Sequence, residues 1–492
     1  MLRAKSGGAE RISMVEKGAE VLAETISLCP ECFKIVPAKI ITDGVRVYMK
    51  KFCKQHGEIA ALIWSDLKLY MRALRYSRPG KPAKPHVKNI ARGCPFDCGL
   101  CPSHRQHTCL AILEVTDACN LLCPICLADS KEEPWWNPTI EDIEGMLKEL
   151  LRCEGKPTAI QLSGGEPTIR KDLLDIVGLC KDLGFRLIEI DTNGIELAKN
   201  PSLARDLADA EISGVYLQFD GLTPEVYQTI RGRDLTIIKE KAIENCSRAG
   251  LSVTLAVTVL RGINEQQLWD IIRYAVSRRA IGVNFQPFAA LGRYPQSLFN
   301  PLDRTTISDI QIGIEQQSCG KLRATDFMPV PCPDPRCSSL LYAYYSADGE
   351  LHAINTLADM EQLIDKHSLK NEFIEFDKML RAVADELAIS STFLRGLKPQ
   401  AIGSSLRLLL EQLRPKGFFS IGCHFAQDAW TADLERLSKC CVHELRENGR
   451  LIPFCLYNIT LTKGEKLYRD SNSYIRLAGV QHGQVTTNLC NC

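Results

Sequence analysis

The sequence has no run of 18 consecutive apolar residues, so no segment is expected to span a membrane. The first residues, Met-Leu-Arg-Ala-Lys-Ser-Gly-Gly, lack the apolar stretch of a secretory signal peptide. Neither sign of charge is in excess, because 60 Lys and Arg against 59 Asp and Glu leave a formal net charge of +1. Bulk charge therefore gives no reason to expect a nucleic-acid partner.

Cysteine, in contrast, is abundant, with 22 residues in a chain of 492 that is otherwise ordinary, being 45% apolar and 24% charged. In a chain of this length, cysteines spaced as C-x2-C and C-x3-C-x2-C favour metal sites in a reducing compartment over disulfides. We therefore expect a cytoplasmic metalloprotein. The length alone predicts two to four domains.

The central cysteine group follows the apolar run 111–115 and comprises Cys119, Cys123 and Cys126. A strand that leads into a C-x3-C-x2-C loop gathers three thiolates around one point. Three thiolates suit a [4Fe-4S] cluster and leave one iron without a protein ligand, free to bind a small molecule. These three cysteines are therefore the predicted catalytic centre.

A second motif follows the next predicted strand, residues 158–162, and comprises Gly164, Gly165, Glu166 and Pro167. The alternative interpretation, a zinc site beside an unrelated turn, is disfavoured because both motifs occur at this distance with a strand before each. Together they resemble the radical S-adenosylmethionine (SAM) superfamily. The resemblance implies that the open iron binds the amino and carboxylate groups of SAM, and that the Gly-Gly-Glu-Pro turn holds the amino group.

Near the N-terminus, two knuckles supply four further ligands, namely Cys29, Cys32, Cys53 and His56. Soft and borderline ligands in this spacing are typical of a tetrahedral mononuclear site with zinc or rubredoxin-like iron. The alternative is that Cys53 belongs to the core and His56 to a turn. Because the protein fills all four positions, we expect a structural or electron-transferring site and not a catalytic one.

Two groups of four cysteines predict two auxiliary [4Fe-4S] clusters. The first comprises Cys94, Cys98, Cys101 and Cys109. The second comprises Cys332, Cys337, Cys440 and Cys455, with Cys441 as an alternative to Cys440. Four thiolates saturate a cube, which cannot then bind SAM at an iron. This is why we assign SAM to the triad without an adjacent fourth cysteine.

From residue 111 to about 320, strand-like and helix-like segments alternate in six units. Such a pattern predicts an α/β fold with a parallel sheet, and the resemblance implies a partial (β/α)6 barrel of the TIM type. Chemistry in these barrels sits at the carboxyl ends of the strands. By resemblance, Asn193 and Gln218 are candidates for the ribose or methionine part of SAM, and Arg261 for its carboxylate. The alternative for each is a loop residue with locally satisfied hydrogen bonds.

The sequence thus predicts four segments: a rubredoxin-like or zinc-ribbon-like domain at 1–70, a basic linker with the first auxiliary cluster at 71–110, the barrel at 111–320, and a second auxiliary-cluster and substrate domain at 321–492. Within 67–96 there are eight Lys or Arg and no Asp or Glu. Such a strip can meet anionic headgroups or a phosphorylated substrate, although most such runs are merely solvated.

Two apolar segments with helical spacing, 372–387 and 402–413, lie in the last of these domains. They predict either helix faces in a core or a groove wall for a long apolar substrate.

The full set of motifs is more specific than the superfamily. It includes Gly93-Cys-Pro-Phe-Asp-Cys98, His107-Thr-Cys109-Leu and Arg450-Leu-Ile-Pro-Phe-Cys455. Over nearly the whole chain it resembles the archaeal tetraether synthases and their bacterial relatives, some of which have been described as radical SAM methyltransferases of a pterin precursor. The resemblance implies three [4Fe-4S] clusters, SAM and one mononuclear Fe or Zn.

The resemblance also implies a reaction in which a 5′-deoxyadenosyl radical from SAM leads to coupling of unactivated sp3 carbons in membrane lipid chains. We would then expect peripheral contact with a membrane and an electron donor such as ferredoxin or flavodoxin. The main alternative is methyl or methylene transfer to a pterin precursor, which predicts a polar pocket in place of an apolar tunnel. A peptide-modifying enzyme would show a denser C-terminal cysteine run, and an iron-sulfur electron carrier would not explain the Gly-Gly-Glu-Pro turn.

Overall fold

The computed structural model describes residues 19–84, 90–134, 136–332, 334–345, 350–353, 355, 418–446 and 449–469. The apolar segments 372–387 and 402–413 lie outside the described residues. Within the described residues, no helix combines the length and the apolar character that crossing a membrane requires.

The first four strands form a separate antiparallel sheet in chain order. They are β1 (Glu20–Leu28), β2 (Ile35–Thr42), β3 (Val47–Cys53) and β4 (Gly57–Trp64). Burial alternates along β2, which is the period-two pattern of a strand with one covered face. The two turns β1–β2 and β3–β4 carry the N-terminal ligand knuckles. After β4, Asp66 caps helix α1 (Leu67–Arg75) by accepting the backbone N–H of Leu69 at 2.7 Å.

The next six strands form a parallel sheet in which each strand lies beside its successor in the chain. They are β5 (Leu110–Thr116), β6 (Ala159–Gly164), β7 (Ile188–Thr192), β8 (Gly214–Gln218), β9 (Val253–Val259) and β10 (Gly282–Pro287). The helices are α2 (Ile140–Glu154), α3 (Leu173–Asp182), α4 (Ile195–Lys199), α5 (Pro201–Asp209), α6 (Pro224–Arg231), α7 (Thr236–Arg248), α8 (Leu268–Ser277) and α9 (Ile307–Gln317). The predicted α/β class and its six repeating units are confirmed.

Strands from the C-terminal part of the chain extend this sheet at both edges, which the sequence pattern did not predict. β14 (Phe418–His424) pairs in parallel with β10, and β15 (Val442–Leu445) pairs in parallel with β5. Consequently β5 and β10 do not pair with each other, and the barrel is partial. The remaining elements are β11 (Met328–Pro329), β12 (Ser338–Tyr345), β13 (Leu351–Ala353), β16 (Leu451–Pro453), α10 (Leu434–Leu437) and α11 (Phe454–Asn458).

The core lies between the outer face of the sheet and the helices. Outward residues such as Ile190, Leu217 and Leu255 are fully buried in one apolar cluster with helix residues. Burying a side chain of this size contributes about 1.5–3 kcal/mol. The alternate residues, such as Glu189 and Asp191, face the interior of the barrel and are only half-buried. The sheet therefore has an apolar outer face and a partly open inner face.

Candidate active site and metal centres

The N-terminal ligands lie together, with the ligand atoms of Cys29, Cys32, Cys53 and His56 all within 4.8 Å of one another. His56 Nδ1 lies 3.4 Å from Cys29 Sγ and 3.5 Å from Cys53 Sγ, and the Sγ atoms of Cys32 and Cys53 are 4.0 Å apart. A tetrahedral ion with thiolate and imidazole ligands places these atoms roughly 3.5–3.8 Å apart. The four residues therefore fit a single metal ion.

The triad occupies the loop after β5, where Cys119 and Cys123 are buried and Cys126 is half-buried. The loop is fixed at both ends, since the N–H of Cys119 donates to the Lys131 carbonyl at 2.8 Å and that of Cys126 to the Arg293 carbonyl at 2.9 Å. Burial raises the pKa of Cys119 to about 12. The Cys119 thiol therefore needs a strong positive partner to ionise, which a bound iron cluster provides.

The Gly-Gly-Glu-Pro turn packs against the start of this loop. The N–H of Gly165 donates to the Thr116 carbonyl at 2.7 Å, and that of Glu166 donates to the Ala118 carbonyl at 2.8 Å. A Cβ atom on Gly164 would lie 1.9 Å from the Thr116 oxygen, and one on Gly165 would lie 2.0 Å from the Ala118 oxygen. Both glycines are required because no side chain fits between the two backbones.

The Glu166 side chain is directed into the protein. Its carboxylate is buried and accepts from the Thr168 N–H at 3.1 Å, the Thr192 hydroxyl at 2.6 Å and the Asn193 N–H at 2.7 Å. Burial raises the pKa of Glu166, and these hydrogen bonds oppose the rise. The carboxylate therefore joins the turn to the loop after β7. A role of the turn in holding the SAM amino group stays a prediction.

Asn193 and Gln218, both predicted from the sequence, meet through a lysine that the sequence reasoning missed. Asn193 Nδ2 donates to Asn120 Oδ1 at 2.8 Å and lies 3.8 Å from Cys119 Sγ. Lys239 Nζ donates to the Asn193 carbonyl at 2.6 Å and to Gln218 Oε1 at 2.9 Å. Burial lowers the pKa of Lys239 to about 7.

This lysine had a sequence signature. Lys239 falls on the buried face of α7 together with Ala242, Ile243 and Cys246, three, four and seven positions later. A charged residue in an apolar helical stripe is rare unless it has buried partners.

A buried ion pair also borders the triad. Arg231 Nε lies 2.7 Å from Asp220 Oδ2, and a second guanidinium nitrogen lies 2.8 Å from Oδ1. The same guanidinium donates to the Ile125 carbonyl at 3.2 Å, inside the cysteine loop. Burial raises the pKa of Cys123, and the positive charge of Arg231 opposes that rise. Arg231 is therefore placed to stabilise the thiolate of a cluster ligand.

Arg261, the candidate for the SAM carboxylate, lies among carboxylate side chains. Its guanidinium lies 3.3 Å from Asp309, 3.6 Å from Glu265 and 3.7 Å from Asp303. It also donates to the Arg304 carbonyl at 2.9 Å. Three carboxylates surround this cation, and its assignment to the SAM carboxylate stays a prediction. The fold brings two other arginines to the cysteine loop: Arg231 donates to the Ile125 carbonyl at 3.2 Å, and Arg293 Nε donates to the Cys123 carbonyl at 3.0 Å.

The cysteines expected in two auxiliary clusters are grouped differently in the structure. Cys109, which the sequence placed with Cys94, Cys98 and Cys101, lies instead with Cys332 and Cys441, and these three Sγ atoms are within 4.8 Å of one another. Cys440, the preferred ligand in the sequence, directs its thiol to the Val442 carbonyl at 3.2 Å. The regrouping follows from the pairing of β15 with β5, which brings the residues before both strands together.

The other predicted cluster cysteines come from both of the groups expected from the sequence. They are Cys94, Cys98, Cys101, Cys337, Cys440 and Cys455. Cys440 is buried and close enough to Cys337 and Cys455 for their charges to raise its pKa further after burial has done so. Burial likewise raises the pKa of Cys98, with further contributions from Cys94, Cys101 and Cys440. Which of these six thiols share a cluster stays a prediction, as does the number of clusters.

Two protein families match separate parts of the chain, and one known protein is similar to it over nearly its whole length. The radical SAM superfamily matches residues 113–275, and the HMPTM N-terminal zinc ribbon domain matches residues 21–65. The 7,8-dihydro-6-hydroxymethylpterin dimethyltransferase of Methanocaldococcus jannaschii is 36% identical over 474 residues, which cover 88% of this chain and 93% of that protein.

Two further matches are partial. A probable GTP 3′,8-cyclase of Methanothermobacter marburgensis is 34% identical over 180 residues, covering 36% of this chain and 57% of the cyclase. The FeFe-hydrogenase maturase HydG of Carboxydothermus hydrogenoformans is 14% identical with a TM-score of 0.36, covering 62% of this chain and 82% of HydG. Since the similarity to the dimethyltransferase spans nearly all of both proteins, the chain belongs to its family among the radical SAM enzymes, which use SAM and a [4Fe-4S] cluster.

Proposed function

We propose that this enzyme transfers methyl groups to a pterin precursor. The similarity to a protein named as a pterin dimethyltransferase supports the proposal. The main support for the proposal is the polar lining of the barrel interior. This lining is a property of the chain's own residues and does not depend on similarity to another protein. An apolar tunnel, which a lipid substrate would need, is not what these strands offer.

The inner face presents polar side chains on five strands, while the residues between them are buried and mostly apolar. Neighbouring polar side chains form cross-strand hydrogen bonds, so their orientation is fixed before a ligand binds. The inward residues are Gln161 and Ser163 on β6, Glu189 and Asp191 on β7, Tyr216 and Gln218 on β8, Thr254 and Thr258 on β9, and Asn284 and Gln286 on β10. The bonded pairs are Gln161–Glu189 at 2.7 Å, Ser163–Asp191 at 3.1 Å and Gln286–Tyr216 at 2.8 Å.

This lining retains hydrogen-bonding capacity. Asn284 Oδ1 is buried and accepts no hydrogen bond from the described part of the chain. Burial raises the pKa of Asp191 to about 7 and also raises the pKa of Glu189, so burial favours the protonated form of both carboxyl groups. A pterin presents an amino group, ring N–H groups and a carbonyl along one edge, which matches carboxyl and amide partners.

A hydrocarbon chain would offer no partner to Asn284 Oδ1 or to the remaining lone pairs of the paired carboxyl and amide oxygens. A buried polar group without a partner costs about 1–3 kcal/mol, which opposes an apolar substrate. A site built on hydrogen bonds also discriminates strongly against ligands that lack them. The interior therefore favours a small polar heterocycle over a lipid tail.

The residues around the interior fit the cofactor as well. SAM and its cluster, when bound, supply the 5′-deoxyadenosyl radical. Cys119, Cys123 and Cys126 would hold the cluster, and Asn193 and Gln218 lie at the carboxyl ends of β7 and β8, the same end of the sheet as the triad. Their fixed positions would orient SAM towards the polar interior. The electron donor, ferredoxin or flavodoxin, stays a prediction.

The test is an anaerobic assay of the reconstituted, reduced full-length protein with SAM and 7,8-dihydro-6-hydroxymethylpterin. We expect methylated pterin by mass spectrometry. Asp191→Asn and Glu189→Gln should raise the KM for pterin about tenfold or more, while SAM cleavage without substrate continues. Glu244→Gln, at an exposed carboxylate outside the barrel, is the matched control. Absence of any methylated pterin would contradict the proposal.

A second candidate, coupling of sp3 carbons in membrane lipid chains, is favoured by a different observation. The acid-free strip exposes five cationic side chains that suit phosphate headgroups, namely Lys68, Arg75, Lys81, Lys84 and Arg92. The same assay with polar lipids in place of pterin separates the two functions, because coupling consumes two SAM per bond, one for each hydrogen removed. Coupled chains without methylated pterin would reverse our order of preference.

A further inference from the structure

A buried arginine is directed at the sulfur of one of the predicted auxiliary-cluster ligands. Arg436 lies on α10, and its side chain is only 3% exposed. Its terminal nitrogen Nη2 donates to Cys337 Sγ at 3.0 Å. Among the described residues, Arg436 Nε is buried and makes no hydrogen bond. The sulfur is therefore the hydrogen-bond acceptor that this guanidinium has within the described part of the chain.

The two carboxylates nearby are engaged by other groups. Asp334 accepts from Arg336 through both oxygens, at 2.7 and 2.9 Å, whereas its distance to Arg436 Nε is 3.9 Å. Burial opposes ionisation of Asp334, but the hydrogen bonds from Arg336 lower its pKa to about 2. Asp433 caps α10 and accepts a threonine hydroxyl from β1. A buried guanidinium needs a close negative partner, and Cys337 supplies one when it is a thiolate.

Cys337 belongs to a group of thiols that suits an iron-sulfur cluster. Burial raises the pKa of Cys440 and of Cys455, and the charge of Cys337 raises both further, so the three thiols lie close together. The backbone N–H of Gln427 donates to Cys455 Sγ at 3.3 Å. Two of the three sulfurs thus already receive an N–H donor, as the thiolate ligands of such clusters commonly do.

The charge on Arg436 acts on a thiolate in a known direction. Burial raises the pKa of Cys337, and the positive charge and hydrogen bond of Arg436 oppose that rise. An iron-sulfur cluster gains one negative charge when it is reduced. A nearby positive charge and a hydrogen bond to a ligand sulfur therefore favour the reduced form, and they act more strongly where water is excluded.

We propose that Arg436 raises the reduction potential of the auxiliary cluster that Cys337 ligates. The guanidinium donates a hydrogen bond and a positive charge to the ligand sulfur, so the cluster is easier to reduce than the same cluster without this donor. The inference goes beyond the proposed function, because it concerns the electron on the auxiliary cluster and holds for a pterin or a lipid substrate.

The measurement is a redox titration followed by electron paramagnetic resonance, on reconstituted full-length protein carrying Cys123→Ala to remove the SAM cluster. Adding Arg436→Met should lower the ratio of reduced to oxidised cluster at a fixed potential about tenfold, which is about 59 mV for a one-electron couple. Arg436→Lys keeps the charge and should restore most of the ratio.

The matched control is Lys439→Met. This cation lies three residues after Arg436, with its ammonium 3.7 Å from the Glu435 carboxylate. Removing it changes the net charge by the same amount, but a partly exposed and paired charge is screened, so the ratio should change less than about twofold. An equal shift in the two variants would mean that net charge, and not the bond to sulfur, sets the potential.

Two further results would overturn the inference. One is an unchanged potential in Arg436→Met, and the other is a Cys337→Ala protein that keeps all the iron and sulfide of its parent. If Arg436→Met does not take up its clusters, pulsed resonance of the parent protein with isotope-labelled arginine decides. A coupling between the reduced cluster and a guanidinium nitrogen is expected, and its absence would contradict the proposal. None of these measurements needs SAM cleavage or a substrate, so their failure is distinct from failure of the proposed function.

Discussion

The ammonium nitrogen of Lys239 lies 2.6 Å from the backbone carbonyl oxygen of Asn193, the residue whose side chain borders the cysteine triad. On the other side of the same residue, the Glu166 carboxylate accepts the Asn193 N–H at 2.7 Å. Two buried ionisable groups thus hold one residue from both directions. The position of Asn193 therefore depends on the Gly-Gly-Glu-Pro turn and on helix α7 together.

The first prediction concerns this lysine. Lys239→Met should lower SAM cleavage, measured as 5′-deoxyadenosine formed, by about tenfold or more. Methionine has a similar volume but no donor, so the Asn193 carbonyl and Gln218 Oε1 lose their partner, at a cost of about 1–3 kcal/mol for a buried acceptor. Lys241→Met, at an exposed position of the same helix, should leave the rate unchanged. Equal rates for the two variants would show that Lys239 does not position Asn193.

The second prediction concerns the ion pair beside the triad. Asp220→Asn should lower the free energy of unfolding by about 3–5 kcal/mol, because it leaves the buried Arg231 guanidinium without its counter-charge. Denaturant unfolding of the metal-loaded protein measures the loss. The control is Asp270→Asn, whose partner Arg273 lies 3.6 Å away with both side chains mostly exposed. That change should cost less than about 1 kcal/mol, and a similarly small loss for Asp220→Asn would contradict the prediction.

A feature of the structure could be predicted from the sequence when it depends on residues that are close together in the chain. The triad, the Gly-Gly-Glu-Pro turn and the six βα units are contiguous patterns, so spacing and periodicity suffice to predict them. The grouping of Cys109 with Cys441 is not local, because it depends on β15 joining the edge of β5 from far along the chain. Arg261 shows a related limit: position after a strand predicts which end of the barrel a residue reaches, but not the carboxylates that surround it.

The third prediction concerns pH. Burial raises the pKa of Asp191 to about 7, well above the ordinary value near 4 that it regains on unfolding. Between about pH 4 and 7 the folded protein holds a proton that the unfolded chain has lost, so this carboxyl makes stability fall as pH rises through that window. Asp191→Asn should remove this contribution and gain stability relative to the wild type by at most about 1.4 kcal/mol per pH unit.

Thermal and denaturant unfolding at pH 5 and pH 7.5 test this prediction. The quantity to compare is the difference in the free energy of unfolding between wild type and variant at each pH. Asp209→Asn, at an exposed carboxylate on α5, should run parallel to the wild type. A constant difference for Asp191→Asn across the range would mean that its carboxyl is ionised throughout.

The fourth prediction separates the roles of two cysteines. Cys123→Ala should abolish 5′-deoxyadenosine formation, since it removes a ligand of the cluster that binds SAM. Cys98→Ala should retain some formation without substrate but lose the final product. Cys319→Ala, at an exposed thiol, should change neither. If Cys98→Ala abolishes SAM cleavage and Cys123→Ala does not, the SAM cluster belongs to the other triad.

The last prediction links the N-terminal metal to the C-terminal segment. Lys51 Nζ donates to the Leu28 carbonyl and to the Ala429 carbonyl, each at 2.7 Å, and Trp430 packs on the apolar cluster around the ligand Cys29. The metal holds the knuckle that directly follows Leu28. Loss of the metal should therefore weaken both the Lys51 hydrogen bonds and the packing of Trp430. Metal binding contributes directly to folding in sites of this kind.

We therefore expect Cys32→Ser to lower the Tm by about 5 °C, as a loss of about 2 kcal/mol does in a cooperative unit of roughly 150–250 residues. Amide hydrogen exchange across residues 429–433 should accelerate as well, because contacts with a fixed N-terminal knuckle no longer oppose local opening of this segment. Lys54→Ala, an exposed position in the other knuckle, keeps all four ligands and should show neither change. Unchanged exchange at 429–433 in a Cys32→Ser protein that has lost its metal would show that the C-terminal segment is held by other contacts.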